Sequence, residues 1–259
     1  MAKATSVDVG LFHMGGYDLR GFSTMFSYNF EALTEEAHVL GDNWVYHDTV
    51  RVMKAALEQN GFFTTEEGGA NQAFMSTLGA SAVSGMFSVA GNPPALGTNV
   101  KLFTGAVQAN FNVTAERGAL VKATGSYASA GAVYDGILVY MGSIDENGTA
   151  GAVVDTGATS YVDGGLAVLS VTAIDLDGAD GLIVRVMESP DVEAYVEMIE
   201  FAEITTDDPE APDAECSQVI DVLALTVGPR YKVTFEWTGT PGANAAATIA
   251  VGLYIRPTV

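Results

Sequence analysis

Residues 16–63 decide the fold class, and they read GYDLRGFSTMFSYNFEALTEEAHVLGDNWVYHDTVRVMKAALEQNGFF. Over 22–31, one side of an extended backbone would be mostly aromatic and the other mostly polar. The first side comprises Phe22, Thr24, Phe26, Tyr28 and Phe30, and the second comprises Ser23, Met25, Ser27, Asn29 and Glu31. Because side chains alternate across a β-strand, this pattern predicts a strand with one packed face and one wet face.

Residues 46–59, later in the same stretch, are ambiguous. Tyr46, Val50, Met53 and Leu57 recur at helical spacing, with polar residues on the opposite side. The local pattern alone therefore favours a helix here.

The remainder of the chain predicts short strands and one helix. The helix is expected over 70–78, and two paired strands over 101–127. A turn-rich break near 145–148 places a domain boundary after residue 148. Beyond it, strands spaced by about ten residues are typical of a β-sandwich. The prediction is an all-β chain with one short helix, divided into a first domain over 1–148 and a second β-sandwich domain over 149–259.

Composition and charge exclude several partner classes. The 259 residues are 48% hydrophobic and 17% charged, which is enough apolar material for a large core. The net charge is −21, of which residues 1–150 contribute −7 and residues 151–259 contribute −14. Such a charge repels nucleic-acid phosphates and anionic lipids. With no apolar segment at 1–10 or of membrane-spanning length, we expect a chain made in the cytoplasm and no membrane partner.

Residues able to carry chemistry do not form a convincing constellation. Asp175, Asp177 and Asp180 surround one turn and are a weak candidate for a Ca²⁺ site, although a solvated hairpin turn explains them better. Cys216 is the single cysteine, and neighbouring Glu215 disfavours a reactive thiolate. The sequence therefore predicts no catalysis, no resident metal and no cofactor.

Several short patterns together carry a family resemblance. They are the Tyr17-Asp18-Leu19 triplet after a short arm, the strand over 22–31, Gly41-Asp42-Asn43-Trp44 in a long acidic loop, the Gly61-Phe62-Phe63 strand end, the helix over 70–78 and the strand pair over 101–127. In these features the chain resembles the major tail tube protein of long-tailed double-stranded DNA viruses. Two departures are the helical spacing over 51–58, where that family has a strand, and Asn43 in place of a glycine. On the resemblance, we predict a strand over 51–58.

The resemblance implies a structural role in the virion. It implies a tail-tube-type β-sandwich or barrel domain, six copies joined into a ring by their inner sheets, and rings stacked into a tube with other tail proteins. DNA would pass through the tube into the host without specific binding, and the acidic second domain would lie outside. Assembly is expected in the host cytoplasm.

The resemblance also assigns roles to residues. The expected channel-lining set is Ser27, Asn29, Glu31, Gln108, Asn110, Asn112 and Glu116, although a plain solvated sheet face explains these residues equally well. The loop over 32–49 would reach the next ring, because it is too apolar to be freely exposed. Its expected contact residues are Leu33, Val39, Leu40, Trp44 and Tyr46.

A different class of function remains open from the sequence. The chain could be a capsid decoration protein or a carbohydrate-binding accessory protein of the virion, since β-sandwich modules bind sugars through exposed aromatic residues. The available aromatic residues are Tyr161, Tyr195, Tyr231 and Trp237. Alternation along 231–237 makes core packing the more frequent explanation of such residues.

Overall fold

The computed structural model confirms the predicted fold class, all-β with one short helix. It describes residues 9–20, 23–37, 46–64, 70–78, 83–129, 133–148, 150–157, 162–189, 194–206, 216–222 and 228–257. Within these ranges, no helix is long and apolar enough to cross a membrane.

The described residues contain fifteen strands and one helix. In chain order they are β1 (Leu11–Met14), β2 (Tyr17–Asp18), β3 (Ser23–Ala37), β4 (Tyr46–Phe62), α1 (Ala70–Thr77), β5 (Val83–Ser88), β6 (Asn99–Thr114), β7 (Lys122–Ser129), β8 (Val133–Ile144), β9 (Val154–Asp155), β10 (Val162–Asp175), β11 (Ala179–Ser189), β12 (Val196–Glu200), β13 (Ser217–Val222), β14 (Arg230–Gly239) and β15 (Ala246–Pro257).

The strands form one large antiparallel sheet and one small one. The large sheet runs β13-β10-β15-β8-β6-β5-β1-β2, and the small sheet runs β12-β11-β14-β9. The predicted domain boundary falls between β8 and β9, yet β8 pairs with β15, with Ile144 opposite Ala247. The large sheet therefore continues from one predicted segment into the other, and the division into two domains stays a prediction.

A branch of the large sheet carries β3 and β4. The second half of β6 pairs with β7, β7 pairs with β4, and β4 pairs with β3. These strands form a four-stranded antiparallel sheet in the order β3-β4-β7-β6, which we call the branch sheet. The long strand β6 joins the branch sheet to the rest of the molecule, because its first half pairs with β8 and β5.

Apolar side chains from both faces of the large sheet form three cores. One lies between the small sheet and β8, β10 and β15, and includes Leu169, Val184 and Val233. A second lies behind the branch sheet, where Phe12 and Phe74 pack with Tyr127. The third lies among β1, β5, β6, β8, β10 and β15 and includes Leu102 and Val168.

The ambiguous segment at 46–59 is strand, as the resemblance predicts and the local helical spacing does not. Residues of β4 pair with β3 on one side and, from Ala56 onward, with β7 on the other. Hydrogen bonds to β3, and from Ala56 onward to β7 as well, outweigh local propensity, which is a weak determinant in such a context. The predicted helix over 70–78 forms as α1, Ala70–Thr77.

The predicted loop over 32–49 needs correction at both ends. Strand β3 continues to Ala37 and strand β4 begins at Tyr46, so residues 32–37 and 46–49 are strand. Residues 38–45 lie outside the described residues. The resemblance implies a loop here, but residues 32–37 and 46–49 pair with each other across β3 and β4.

Candidate assembly surface

One face of the branch sheet collects polar side chains from all four strands. Cross-strand partners point to the same side of a sheet, so the register defines rows across it. The central row is Ser27, Glu58, Ser126 and Asn110, and the next row is Met25, Asn60, Thr124 and Asn112. Most of these side chains are exposed or half-buried. We call this surface the polar face.

Uncharged groups dominate the polar face. The Thr124 hydroxyl donates to Oδ1 of Asn60 at 2.7 Å, which links neighbouring strands through side chains. Among the described side chains in its rows, only Glu58 and Lys122 carry charge, and their signs cancel. The face therefore offers amides and hydroxyls to water but no row of cations to a phosphate backbone.

The structure places most of the predicted channel residues on this face. Ser27 and Asn29 lie on β3 and are exposed, and Asn110 and Asn112 lie on β6 and are exposed. Glu31 continues β3 opposite Lys54. Glu116 follows β6 in the exposed turn that leads to β7, where its carbonyl accepts from the Ala119 amide at 3.1 Å.

Gln108 departs from the predicted alternation. Its side chain is only 3% exposed, on the side opposite the polar face, and Nε2 donates to the Asn110 carbonyl at 3.3 Å. The cause is a β-bulge, since Gln108 pairs with Tyr127 but Asn110 already pairs with Ser126. The extra residue, Ala109, shifts the alternation of side chains by one position. Gln108 and Asn110, which are two residues apart, therefore lie on opposite faces of the sheet.

Other residues of the polar face were missing from the sequence-based set. Glu58 and Asn60 belong to the segment whose spacing favours a helix, so the sequence pattern did not indicate that both lie on one face of a sheet. Thr124 and Ser126 lie on β7, where polar residues at every second position from 122 to 126 were an available signal.

Helix α1 covers the opposite face of the branch sheet. The Phe74 ring stacks on Phe111 with centroids 5.1 Å apart and lies 6.2 Å from the Tyr127 ring. The ring lies directly on Gly125, where a Cβ atom would be 2.3 Å from Phe74 Cε1. A side chain at residue 125 would therefore lift the helix away from the sheet.

Both outer edges of the branch sheet are long and lack a strand partner within the described residues. Strand β3, at 15 residues, pairs only with β4. On the far side, β6 pairs with β5 up to Ala106 and makes one bridge, between Gln108 and Leu78. From residue 109 to 114, the described chain provides no strand on that side of β6.

Exposed apolar side chains lie beside the β6 edge. Met75 and Leu78, in and just after helix α1, are 56% and 45% exposed, and Val113 on β6 is 41% exposed. Leu78 bridges Gln108 at one end of this edge and Val113 lies near the other end, so exposed apolar side chains flank the unpaired backbone, which is the arrangement expected where another chain adds to a sheet.

The predicted inter-ring residues are only partly described. Leu33 lies at a register shift in β3, between Ala32 and Thr34, and Tyr46 pairs with Ala37 at the start of β4. Val39, Leu40 and Trp44 lie outside the described residues. Their assignment to an inter-ring contact stays a prediction.

A buried polar group supports the strands behind the branch sheet. His13 on β1 is 2% exposed, and burial lowers its pKa to about 4, with the Asp18 carboxylate opposing and the Arg20 cation assisting this shift. Burial acts to raise the pKa of Asp18, but hydrogen bonds from Arg20 hold it below its ordinary value. Arg20 also donates from Nη1 to the Gly10 carbonyl at 2.8 Å. The neutral imidazole and the ion pair are thus both part of the fold.

The weak metal candidate does not assemble a site. Asp177 is committed to the turn, because its backbone amide donates to Asp175 Oδ1 and its Oδ2 accepts from the Asn244 amide at 2.8 Å. Among the described residues, no group of three or more His, Cys, Asp or Glu could hold a metal ion.

The aromatic residues considered for sugar binding do not form an exposed platform where they are described. Tyr231 is 3% exposed, Lys232 Nζ lies 4.0 Å from the centroid of the Tyr195 ring, and Trp237 Nε1 donates to the Asp145 carbonyl at 2.8 Å. Tyr161 lies outside the described residues. The geometry therefore provides nothing in favour of sugar binding.

Comparison with known proteins assigns no family. No family model and no curated protein matches this chain. Two similar solved structures are titled as the virion of a native gene transfer agent particle and the tail of an empty gene transfer agent particle with C6 symmetry. They share 14% and 17% identity over 52% of this chain and 98% of theirs, each with a TM-score of 0.39.

A third solved structure is that of SPP1 Dit, described as a hub adsorption apparatus protein of phages that infect Gram-positive bacteria. It shares 10% identity over 93% of this chain and 97% of its own, with a TM-score of 0.31. At these TM-scores, the likeness to the three structures carries no argument about this chain.

Proposed function

We propose that this chain is a virion structural subunit, copies of which join side by side into rings that stack as the tail tube of a tailed DNA virus. The observation that carries the proposal is the branch sheet, with its mostly uncharged polar face and two edges that lack a strand partner among the described residues. The sequence resemblance points to the same role independently of the geometry.

The unpaired edges need partners, and a second copy supplies them. A long edge strand exposes a row of amide and carbonyl groups that can pair with another chain, and closing a sheet into a barrel removes such edges. Strand β3 of one copy would lie against residues 109–114 of β6 in the next copy, and would bury the exposed side chains of Leu78 and Val113.

The strand count makes this junction regular. The branch sheet has four antiparallel strands, so its two edge strands, β3 and β6, run in opposite directions. Rotation about a single axis keeps every copy in the same orientation, so β6 meets the neighbouring β3 antiparallel. The hydrogen-bond pattern therefore continues unbroken around a closed ring.

The ring would enclose a wide bore. Strands about 4.8 Å apart and tilted by about 40° each occupy about 6 Å of circumference. Six copies, the number that the resemblance implies, would supply about 24 strands and a barrel about 48 Å across at the backbone. After side chains are allowed for, that width passes a DNA duplex.

The chemistry of the polar face suits transport rather than binding. Amide and hydroxyl groups keep the wall hydrated, and the near absence of cations leaves DNA without the phosphate contacts that dominate its affinity for proteins. The acidic small sheet packs on β8, β10 and β15, away from the polar face. We assign the finished assembly to the virion tail, in contact with other tail proteins and built in the host cytoplasm.

The test compares assembly of the full chain with that of an edge variant. Purified protein is examined by negative-stain electron microscopy and analytical ultracentrifugation. The unmodified chain should form hollow rings or tubes. Leu78→Lys places a cation in the proposed junction, and because Leu78 is 45% exposed in the single copy, the fold should persist while rings are lost.

A matched control uses another exposed apolar residue. Val196 on the small sheet is 53% exposed and lies outside the proposed junction, so Val196→Lys should assemble normally. Discrete monomers of the unmodified chain at high concentration would refute the proposed function. Normal rings from Leu78→Lys would refute the assignment of this edge.

A further inference from the structure

The chain carries far more negative charge than its own cations can balance. It has 32 Asp and Glu residues against 11 Lys and Arg residues, which gives the net charge of −21. Four of the cations are also already paired within one copy. The ion pairs join Arg20 to Asp18, Lys101 to Asp135, Arg230 to Asp155, and Arg185 to Glu197, Glu200 and Glu236. These four cations are therefore not free to neutralise the carboxylates of a neighbouring copy.

The proposed junction between copies provides no attraction between opposite charges. Residues 109–114 of β6 and 23–30 of β3 include no charged residue. The two stretches occupy the same rows of the branch sheet, with Ser27 in line with Asn110. Leu78 and Val113, the exposed side chains beside the β6 edge, are apolar. Attraction at this junction is therefore short-ranged and depends on backbone hydrogen bonds and apolar contact.

Repulsion between copies, in contrast, acts over a long range. Two copies that each carry a net charge of −21 repel one another, and dissolved salt screens this repulsion. The distance over which exposed charges act is about 30 Å at about 0.01 M salt and about 3 Å at about 1 M salt. Salt therefore weakens the repulsion between copies, whereas backbone hydrogen bonds and apolar contacts do not depend on such screening.

We infer that ionic strength controls the assembly of this chain, with copies held apart in dilute salt and joined in concentrated salt. This inference rests on the proposed function and names the condition that regulates the junction between β3 and β6. The partner is the diffuse layer of dissolved monovalent cations around the acidic surface, and not an ion held at one site. An assembly held together by surface ion pairs would respond with the opposite sign, because salt weakens such pairs.

The first experiment measures assembly of the full chain against NaCl concentration. Sedimentation velocity at neutral pH gives the protein concentration at which larger particles first form, from about 0.01 M to about 1 M NaCl. This concentration should fall by at least about tenfold as salt rises across the range. Negative-stain electron microscopy of the same samples distinguishes rings or tubes from amorphous aggregate.

Charge variants outside the junction separate repulsion from other effects of salt. Asp180 on β11 and Asp221 on β13 are exposed, and neither strand belongs to the branch sheet. Replacing both residues by lysine changes the net charge from −21 to −17. Because repulsion between identical copies scales with the square of their charge, it should fall by about one third. Asp180→Lys with Asp221→Lys should therefore assemble at lower salt than the unmodified chain.

Two further double variants grade this response. Asp180→Asn with Asp221→Asn has a net charge of −19, so the salt dependence should shift about half as far as in the lysine variant. Asp180→Glu with Asp221→Glu keeps the net charge at −21 and is the matched control, which should assemble as the unmodified chain does. Thermal unfolding of each variant checks that the fold is kept.

The outcomes separate this inference from the proposed function. Rings that form equally well at low and high salt, or that dissociate as salt rises, would overturn control by ionic strength while leaving the tail-tube role intact. An identical salt dependence in all variants would overturn it too, because salt would then act through something other than net charge. Monomers at every salt concentration would overturn the tail-tube role and this inference together.

Discussion

The branch sheet and the small sheet each have four antiparallel strands, but they end in opposite ways. The small sheet ends in β9, with 2 residues, and β12, with 5 residues. The branch sheet ends in β3, with 15 residues, and in residues 109–114 of β6. Short edge strands are a common protection against unwanted pairing. The short edges of the small sheet therefore offer little backbone for pairing with another chain, whereas the edges of the branch sheet are long enough for another chain to extend.

The two sheets also differ in the charge of their exposed side chains. The small sheet carries Arg185 between three carboxylates, with Glu200 at 2.6 Å, Glu236 at 2.5 Å and Glu197 at 3.4 Å. The polar face of the branch sheet has mostly amides and hydroxyls in its rows. The net charge of −21 is thus kept off the polar face where the side chains are described. On the proposed function, the small sheet keeps the chain soluble and the branch sheet provides the assembly contacts.

The largest expected effect comes from truncating Phe74, which packs between α1 and the branch sheet. Phe74 is 1% exposed, and Phe74→Ala should cost about 3–5 kcal/mol because it leaves a cavity between α1 and the sheet. Hydrogen exchange should show faster exchange in β6 and β7, with β11 and β14 unchanged. Equal loss of protection in both sheets would show that they unfold as one unit, which would contradict the expected difference between them.

The next effect in size is a dependence of stability on pH. The pKa of His13 is about 4 in the folded protein against 6.5 in an exposed histidine, so the folded state favours the neutral ring. The unfolded chain therefore binds the extra proton between those values, and stability present above pH 6.5 is lost as pH falls toward 4. The loss should approach about 3 kcal/mol, measured by urea unfolding across this range.

His13→Gln provides the control for this pH dependence. Glutamine does not titrate, so the variant should lose most of the slope between pH 6.5 and 4. Asp18, whose pKa is lowered by Arg20, would still contribute a loss of stability at more acidic pH. A slope identical to that of the unmodified chain would show that the acid-sensitive group lies elsewhere.

The smallest expected effect is on the small sheet. Arg185→Met removes ion pairs whose carboxylates are about half exposed, so the change in unfolding free energy should be at most about 1 kcal/mol. It should shrink further in 0.5 M salt, where screening is stronger. Thermal unfolding at low and high salt measures both. A larger loss, or a loss of rings, would contradict the division of roles between the two sheets.

The strands and the single helix were largely predictable from the sequence, because alternation over 23–31 and 122–129 is visible in the residue types. The pairing between strands was not predictable from the sequence. The spacing of Val50, Met53 and Leu57 has a local explanation as helix, and pairing of β4 with β3, joined from Ala56 onward by the distant strand β7, overrides it. Likewise, nothing near β8 indicates that its partner is β15, more than a hundred residues later.

The polar face was predictable in outline, and its one departure has a local cause. Gln108 and Asn110 have equal parity and similar side chains, so sequence alone places them on one face. The bulge at Ala109 separates them, and it depends on how β7 aligns with β6 rather than on either residue. Bulges of this kind are set by pairing geometry and have no reliable residue signature.

Strands β3 and β4 extend beyond β7 at one end of the branch sheet, and the β6–β7 turn lies at the other end, which would give any stack of rings a direction. One terminus of the stack would display the β3–β4 extensions, and the other would display the β6–β7 turns. A terminator protein shaped for one terminus could not stop growth at the other, so polymer length would have to be controlled by two chemically distinct caps.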